Sequence, residues 1–99
     1  MKGATMNKAR AEYIYQLTGT IQNQKLQIIN NRISYKLAVN IKSRPEIKKI
    51  RVWKEKLTNS QIWQEIQENK FFEKKYLFFC HNWMGHYSLV DWKELSNEK

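Results

Sequence analysis

The 99-residue sequence predicts an all-β fold with one short helix, arranged as a small five-stranded barrel. Five segments have the character of strands: most alternate apolar and polar side chains with the period of two that is typical of a half-buried strand, and the fourth is apolar on both faces. Between the third and fourth of these segments lies one short stretch whose apolar residues have the spacing of a helix. Only three glycines and one proline interrupt the chain. An open antiparallel sheet carrying one helix (α+β) is the alternative that this pattern leaves open.

The composition predicts one domain with a modest core, because 41% of the residues are hydrophobic. We expect a single domain at 12–95, preceded by a flexible basic arm at 1–11 and followed by a frayed tail at 96–99. No apolar run approaches the roughly 20 residues that cross a bilayer. We therefore expect no membrane partner and a cytoplasmic location, with an organelle matrix or stroma as the alternative.

The first two strands are predicted at 13–21 and 28–42, with a turn between them. Gly19 interrupts the first strand and suggests a bulge or a sharp bend, since it has no side chain to pack. In the second strand the alternation is the clearest in the chain, which is typical of an antiparallel sheet with one wet face. Its predicted inward residues are Ile33, Tyr35, Leu37, Val39 and Ile41.

Pro45 marks the connection to a third strand, predicted at 47–56. Ile50 and Val52 share one face of this strand. The opposite face carries Lys49, Arg51 and Trp53.

A helix is predicted at 60–69, where Ile62, Trp63 and Ile66 form one apolar stripe and should plug the sheet. Thr58 and Gln61 have the spacing of a capping box at its start.

The segment KKYLFFCHNWMGHYSLVDW (74–92) predicts a hairpin with strands at 75–83 and 86–92. Met84 and Gly85 supply the turn, because glycine permits a tight reversal. We expect the inner residues Leu77, Phe79 and Leu89 to complete the core. Residues at the tip, Trp83, His86 and Tyr87, are expected to remain available for contact.

The charge favours an anionic partner, because 18 Lys and Arg stand against 9 Asp and Glu, a net charge of +9. A tryptophan that shares one strand face with two cations, beside the polar face of the second strand, is the pattern of a surface that holds single-stranded nucleic acid. The predicted site residues are Lys36, Asn40, Lys42, Lys49, Arg51, Trp53, Trp83, His86 and Tyr87.

Metal binding and catalysis have little support in the sequence. Cys80 and His81 are consecutive on a predicted strand, so they point to opposite faces and cannot join His86 in one ligand set. Cys80 is expected to be a small buried hydrophobe. Asp91 is the only aspartate, and no nucleophile motif, phosphate-binding loop or dinucleotide fingerprint occurs. We expect no metal, no cofactor and no enzymatic activity.

Three segments carry a resemblance: YQLTGTI in the first strand, ISYKLAVNI in the second and IRVWKEKL in the third. Together they resemble the single-stranded-DNA-binding (SSB/PriB-like) branch of the oligonucleotide/oligosaccharide-binding (OB) proteins, over roughly 13–92. The resemblance implies a barrel whose helix lies between strands three and four, and a non-enzymatic module that binds single-stranded nucleic acid, DNA in preference to RNA.

A second hypothesis of another class stays open. In it the chain is a basic OB-like interaction subunit that docks on an acidic protein, or within a ribonucleoprotein or replication complex, with its aromatic rings as interface anchors. Whether the chain forms a homo-oligomer is also left open by the sequence.

Overall fold

The computed structural model describes residues 14–95, and its five strands form a closed barrel in the order β1-β2-β3-β5-β4. The elements are β1 (Tyr15–Ile29), β2 (Arg32–Asn40), β3 (Lys49–Trp53), a 3₁₀ turn (Lys54–Lys56), α1 (Ser60–Gln67), β4 (Lys75–Trp83) and β5 (His86–Leu95). Neighbouring strands pair antiparallel, except that β3 and β5 meet in parallel at Arg51 and Ser88. The predicted five-stranded barrel with one helix between β3 and β4 is confirmed, and the open sheet is excluded.

The expected arm at 1–11, the tail at 96–99 and the predicted strand residue Tyr13 lie outside the described residues. Within residues 14–95, no helix has the length and apolar character needed to cross a membrane.

The β1–β2 hairpin is longer than the sequence predicted. We expected a turn between 21 and 28, but β1 continues to Ile29 and the chain reverses at Asn30 and Asn31. Both asparagines have positive φ, 51° and 63°, which asparagine tolerates and a tight two-residue hairpin turn requires. Since β4 pairs only with Tyr15–Thr20, the outer half of β1 pairs with β2 alone within residues 14–95.

Gly19 allows a close backbone approach and does not mark the bulge that we expected there. A Cβ at this position would overlap the carbonyl oxygen of Asn40 and lie 2.9 Å from Cγ1 of Ile41. The irregularity in the β1–β2 register falls between Ile21 and Asn23 instead. Glycine therefore lets β1 pass tightly against the end of β2.

The core fills the barrel and is closed at one end by α1. Leu17 and Ile21 of β1 are buried in it, and so are most of the apolar residues that the sequence analysis placed on one face of the later elements: Tyr35, Leu37, Val39, Ile41, Ile50, Val52, Ile62, Trp63, Ile66 and Leu89. The Trp63 ring packs on Tyr35 with the ring centroids 4.8 Å apart. Ile33, which was also predicted inward, is exposed because it lies in the outer part of the β1–β2 hairpin.

The buried face of β4 differs from the prediction. Leu77 and Phe79, expected in the core, are only partly buried. The fully buried residues of this strand are Tyr76, Phe78 and Cys80. Alternation could not identify the inner face, because apolar residues occupy both faces of the strand. Pairing with β1 determines it, since Phe78 lies opposite the buried Leu17.

The helix begins one residue later than the predicted capping box implies. Asn59 is the N-cap, and its side-chain oxygen accepts a hydrogen bond from the Gln61 backbone N–H at 2.9 Å. Thr58 precedes the cap, and its backbone N–H donates to the carbonyl of Val90 on β5 at 2.9 Å. This bond ties the start of α1 to the barrel wall.

Candidate functional site

An open cleft of about 700 Å³ lies between the outer face of β2 and β3, the connection between these strands, and the β4–β5 hairpin. Its lining includes most of the predicted site residues: Lys36, Lys49, Arg51, Trp53, Trp83, His86 and Tyr87. Further lining residues that sequence reasoning missed are Arg44, Glu46, Ile47, Lys48, Lys56, Gly85 and Ser88.

Two of the predicted residues are outside this cleft. Asn40 ends β2 and Lys42 follows it, and both are exposed without lining the cleft. The strand predicted at 28–42 would have placed both on the same face as Lys36. However, β2 ends at Asn40, so the strand does not carry Lys42 along the same face.

The third strand forms the floor of the cleft. Ile50 and Val52 are fully buried, so the alternating residues Lys49, Arg51 and Trp53 face outward, as predicted. Lys36 on β2 is the register partner of Arg51, which places a second cation beside it. A period of two on both strands thus produces one contiguous basic surface.

The cleft has a strong excess of positive charge. Its unpaired cations are Lys36, Lys48, Lys49 and Lys56, none of which forms an ion pair with another residue of 14–95. Glu46 is the one carboxylate in the lining, and Arg44 Nε donates to its Oε2 at 2.6 Å. This hydrogen bond lowers the pKa of Glu46, with a weaker contribution from the charge of Arg44. The carboxylate therefore stays ionised, and the charge of Arg44 beside it offsets its negative charge.

Arg51 is anchored to the β1–β2 hairpin. Its Nη1 donates to Gln27 Oε1 at 2.7 Å and to Ser34 Oγ at 2.9 Å. Ser34 is the only buried polar residue of the described chain, and this bond satisfies its hydroxyl. The guanidinium also lies 5.9 Å from the centre of the Trp53 ring.

Trp53 is partly covered by a residue that the sequence did not indicate. The guanidinium carbon of Arg32 lies over the indole, 4.6 Å from the ring centroid, and Arg32 also forms an ion pair with Glu55. Arg32 opens β2 two residues before Ser34, which is the register partner of Trp53. Residues two apart share a strand face, so this spacing was a signal that could have placed Arg32 beside the indole.

The tip of the β4–β5 hairpin carries the most exposed aromatic ring. Trp83 is 73% exposed and Met84 is 81% exposed. Met84 and Gly85 have positive φ, 52° and 85°, and the Asn82 side-chain oxygen accepts a hydrogen bond from the Gly85 N–H at 3.0 Å. The turn is therefore well defined and presents the indole at the rim of the cleft.

His86 and Tyr87 follow the tip but differ in accessibility. His86 is exposed, in agreement with the sequence prediction. Tyr87, which we expected to be available for contact, is buried, and its ring packs edge-on against Tyr15 with centroids 5.8 Å apart. It contributes to the cleft lining as part of the floor.

The described residues offer no centre for metal chemistry, since no three His, Cys, Asp or Glu side chains among 14–95 are close enough to hold an ion. Cys80 is fully buried, as predicted, and burial raises the pKa of its thiol to about 12. The thiol is therefore a packing group of the core, and it lacks the lowered pKa and the exposure of a reactive cysteine.

The fold and the cleft together define a small basic barrel with an aromatic rim. No protein-family model and no curated protein sequence matches this chain.

Proposed function

We propose that this protein binds single-stranded nucleic acid in the cleft and catalyses no reaction there. The observation that carries the proposal is that four lysines without an ion pair among the described residues, together with the exposed indole of Trp83, surround one open groove. Proteins that bind single strands without sequence preference combine a basic groove, which follows the phosphates, with rings that stack on bases.

The lysines and the indole have separate roles in this proposal. Lys36, Lys48 and Lys49 contact backbone phosphates, whose counterions are released on binding. The Trp83 ring, with no aromatic neighbour among residues 14–95, stacks on a base. Trp53 is less accessible because Arg32 lies over it, so a base at this position stacks on the Arg32 guanidinium plane. This arrangement replaces the direct stack on Trp53 that the sequence alone suggests.

Single-stranded DNA is the expected ligand in preference to RNA, and replication is the expected context. Both expectations rest on the resemblance of the strand segments to the OB proteins that bind single-stranded DNA. In this proposal the cleft residues contact the phosphates and the faces of the bases. DNA and RNA share both features, so the cleft itself does not select between them.

Trp83→Ala tests the proposal directly. Base–aromatic stacking is worth roughly 1–3 kcal/mol, so the variant should bind oligo(dT) about 5- to 150-fold more weakly. Met84→Ala is the matched control, because it removes an equally exposed apolar side chain from the same turn without removing a ring. Intrinsic tryptophan fluorescence provides the measurement: oligo(dT) should quench the fluorescence of wild-type protein, and the quenching should be much smaller in Trp83→Ala.

Equal affinities of Trp83→Ala and Met84→Ala would contradict stacking at the tip. If wild-type protein fails to bind oligo(dT) even at low salt, the second hypothesis becomes the better one. The exposed pair Trp83 and Met84 favours that hypothesis too, since Trp and Met are enriched at protein interfaces. In that case the basic cleft would dock an acidic protein.

A further inference from the structure

The connection between β2 and β3 places a carboxylate in the wall of the basic cleft. It consists of two consecutive turns, in which the Arg44 N–H donates to the Ile41 carbonyl and the Ile47 N–H donates to the Arg44 carbonyl, both at 3.0 Å. Ile41 and Ile47 are buried, so this loop is fixed to the core on both sides. Pro45 is the second residue of the second turn, where its restricted φ is favourable. Glu46, the third residue of the same turn, is therefore held at a defined place in the lining.

Arg44 orients the Glu46 side chain without using all of its acceptor capacity. The Arg44 Nε donates to Glu46 Oε2 at 2.6 Å, and the same guanidinium interacts with the Tyr87 hydroxyl in the cleft floor. Among residues 14–95, no other side chain donates a hydrogen bond to this carboxylate. The Glu46 side chain is 61% exposed, and an ionised carboxylate has about four acceptor positions. It is therefore oriented and still able to accept hydrogen bonds from a ligand.

A carboxylate in this cleft opposes the binding of phosphates. Its negative charge repels the same phosphate groups that Lys48 and Lys49 attract, so it lowers the affinity for any strand that is bound through the backbone alone. An ionised carboxylate accepts hydrogen bonds and donates none. The groups of a single strand that Glu46 can bind are therefore the N–H donors on the edges of the bases.

The four bases differ in what they offer to a carboxylate. Guanine has two adjacent donors on its Watson–Crick edge, the N1–H and the N2 amino group, and the two oxygens of a carboxylate can accept both at once. Adenine and cytosine each present one amino group beside an unprotonated ring nitrogen, which the carboxylate repels. Thymine presents a single N–H between two carbonyl oxygens. Guanine is therefore the base that complements Glu46 best.

We propose that Glu46 gives the cleft a preference for guanine at the base that lies against the β2–β3 connection, by accepting hydrogen bonds from its N1–H and N2 amino group. This inference rests on the proposed binding of single strands in the cleft, and it adds a base preference to that site. Phosphate contacts and stacking on Trp83 tolerate every base, so the preference is confined to this one position of the bound strand.

Two oligonucleotides that differ only in an amino group test the preference. One is a DNA strand of repeated TTG, and the other has deoxyinosine in place of each deoxyguanosine, so that N1–H is kept and the N2 amino group is lost. The repeat lets the strand shift until a purine lies at Glu46, and it contains no run of guanines. Wild-type protein should bind the guanine strand roughly 2- to 10-fold more tightly, the usual effect of one hydrogen bond. Fluorescence anisotropy of the labelled strands at one fixed NaCl concentration measures both affinities.

Glu46→Ala assigns the preference to the carboxylate. This variant should bind the guanine and inosine strands with nearly equal affinity, because both acceptor oxygens are gone. It should also bind oligo(dT) more tightly than wild type, since a negative charge has left the path of the phosphates. Glu68→Ala is the matched control: Glu68 is exposed and pairs with Lys70 at 3.1 Å, but it lies outside the cleft. That variant should keep the wild-type ratio and the wild-type affinity for oligo(dT).

The outcomes separate this inference from the function on which it rests. If wild-type protein binds both strands with equal affinity, the guanine preference is overturned, while the binding of single strands stands. A preference that persists in Glu46→Ala belongs to another residue and also overturns the inference. Weaker oligo(dT) binding by Glu46→Ala contradicts it as well, because the carboxylate would then act by shaping the loop. If neither strand nor oligo(dT) binds at low salt, the proposed function fails together with the inference.

Discussion

Arg51 links the cleft to the β1–β2 hairpin through a buried hydroxyl. Its guanidinium satisfies Ser34 Oγ and also bonds Gln27, so part of its donor capacity is used within the protein. Removing Arg51 would leave the Ser34 hydroxyl buried without a partner, which typically costs about 1–3 kcal/mol. Affinity changes in an Arg51 variant would therefore mix binding with stability. Lys48 and Lys49 are exposed and form no ion pair with another residue of 14–95, so their variants should report on phosphate contacts more cleanly.

The buried thiol of Cys80 should make the protein less stable at alkaline pH. Burial raises the pKa of its thiol from 9.0 to about 12, and burial followed by the charges of Glu65 and Glu94 raises the pKa of Tyr76. Below pH 9 the thiol is neutral in both the folded and the unfolded chain. Between pH 9 and 12 only the unfolded chain releases the proton, so the free energy of unfolding should fall by about 1.4 kcal/mol per pH unit from this group.

Urea unfolding at pH 8 and pH 10.5 measures this effect. Cys80→Ala is the comparison, and although it is less stable at both values, its loss of stability between them should be smaller than that of wild type. The remaining loss belongs to Tyr76 and Tyr35, which the variant retains and whose pKa values burial also raises. The same loss in both proteins would show that the thiol does not contribute.

At the scale of elements, α1 is short and depends on its cap. The helix has eight residues, and isolated helices of this length are unstable without tertiary packing and capping. Asn59→Ala removes the bond to the Gln61 N–H and should lower the free energy of unfolding by about 1 kcal/mol. Thr58→Ala should cost less, because its hydroxyl makes only a 3.4 Å contact with the Val90 carbonyl. Urea unfolding of the two variants shows which residue caps the helix. A larger loss of unfolding free energy in Thr58→Ala than in Asn59→Ala would support the capping box predicted from sequence.

How well each strand could be predicted depends on whether its two faces differ. β2 and β3 alternate apolar with polar residues, so the outward positions of Lys36, Lys49 and Arg51 were predictable. β4 is apolar on both faces, so only its pairing with β1 sets Phe78 inward. The length of the β1–β2 hairpin depends on Asn30 and Asn31 adopting positive φ, which alternation does not encode.

At the scale of the whole molecule, chain reversals bring the two halves of the site together. Trp53 and Trp83 are separated by 30 positions, and both line the cleft because β3 and β5 meet in parallel. The sequence indicated a basic strand face and an exposed hairpin tip as separate features. It could not show that Lys48 and Lys56 join them, since these residues lie beyond the ends of β3 and their positions depend on the path of the loops.

The concentration of positive charge in the cleft predicts opposite effects of salt on stability and on binding. In the free protein, salt screens the repulsion among the unpaired lysines, so the Tm should rise with NaCl concentration. Affinity for oligo(dT) should fall, with a slope of log K against log salt of about −0.7 for each phosphate contacted.

The double variant Lys48→Ala, Lys49→Ala should weaken both effects. Removing two cations reduces the repulsion, so its Tm should change less with salt. Removing two phosphate contacts should flatten the binding slope by about 1.4. Lys93→Ala, an exposed lysine on β5 outside the cleft, is the control and should retain the wild-type binding slope. Melting curves and oligo(dT) titrations at several NaCl concentrations measure both quantities. A wild-type binding slope in the double variant would place the nucleic acid on another surface, because the charges that set the slope would then lie elsewhere.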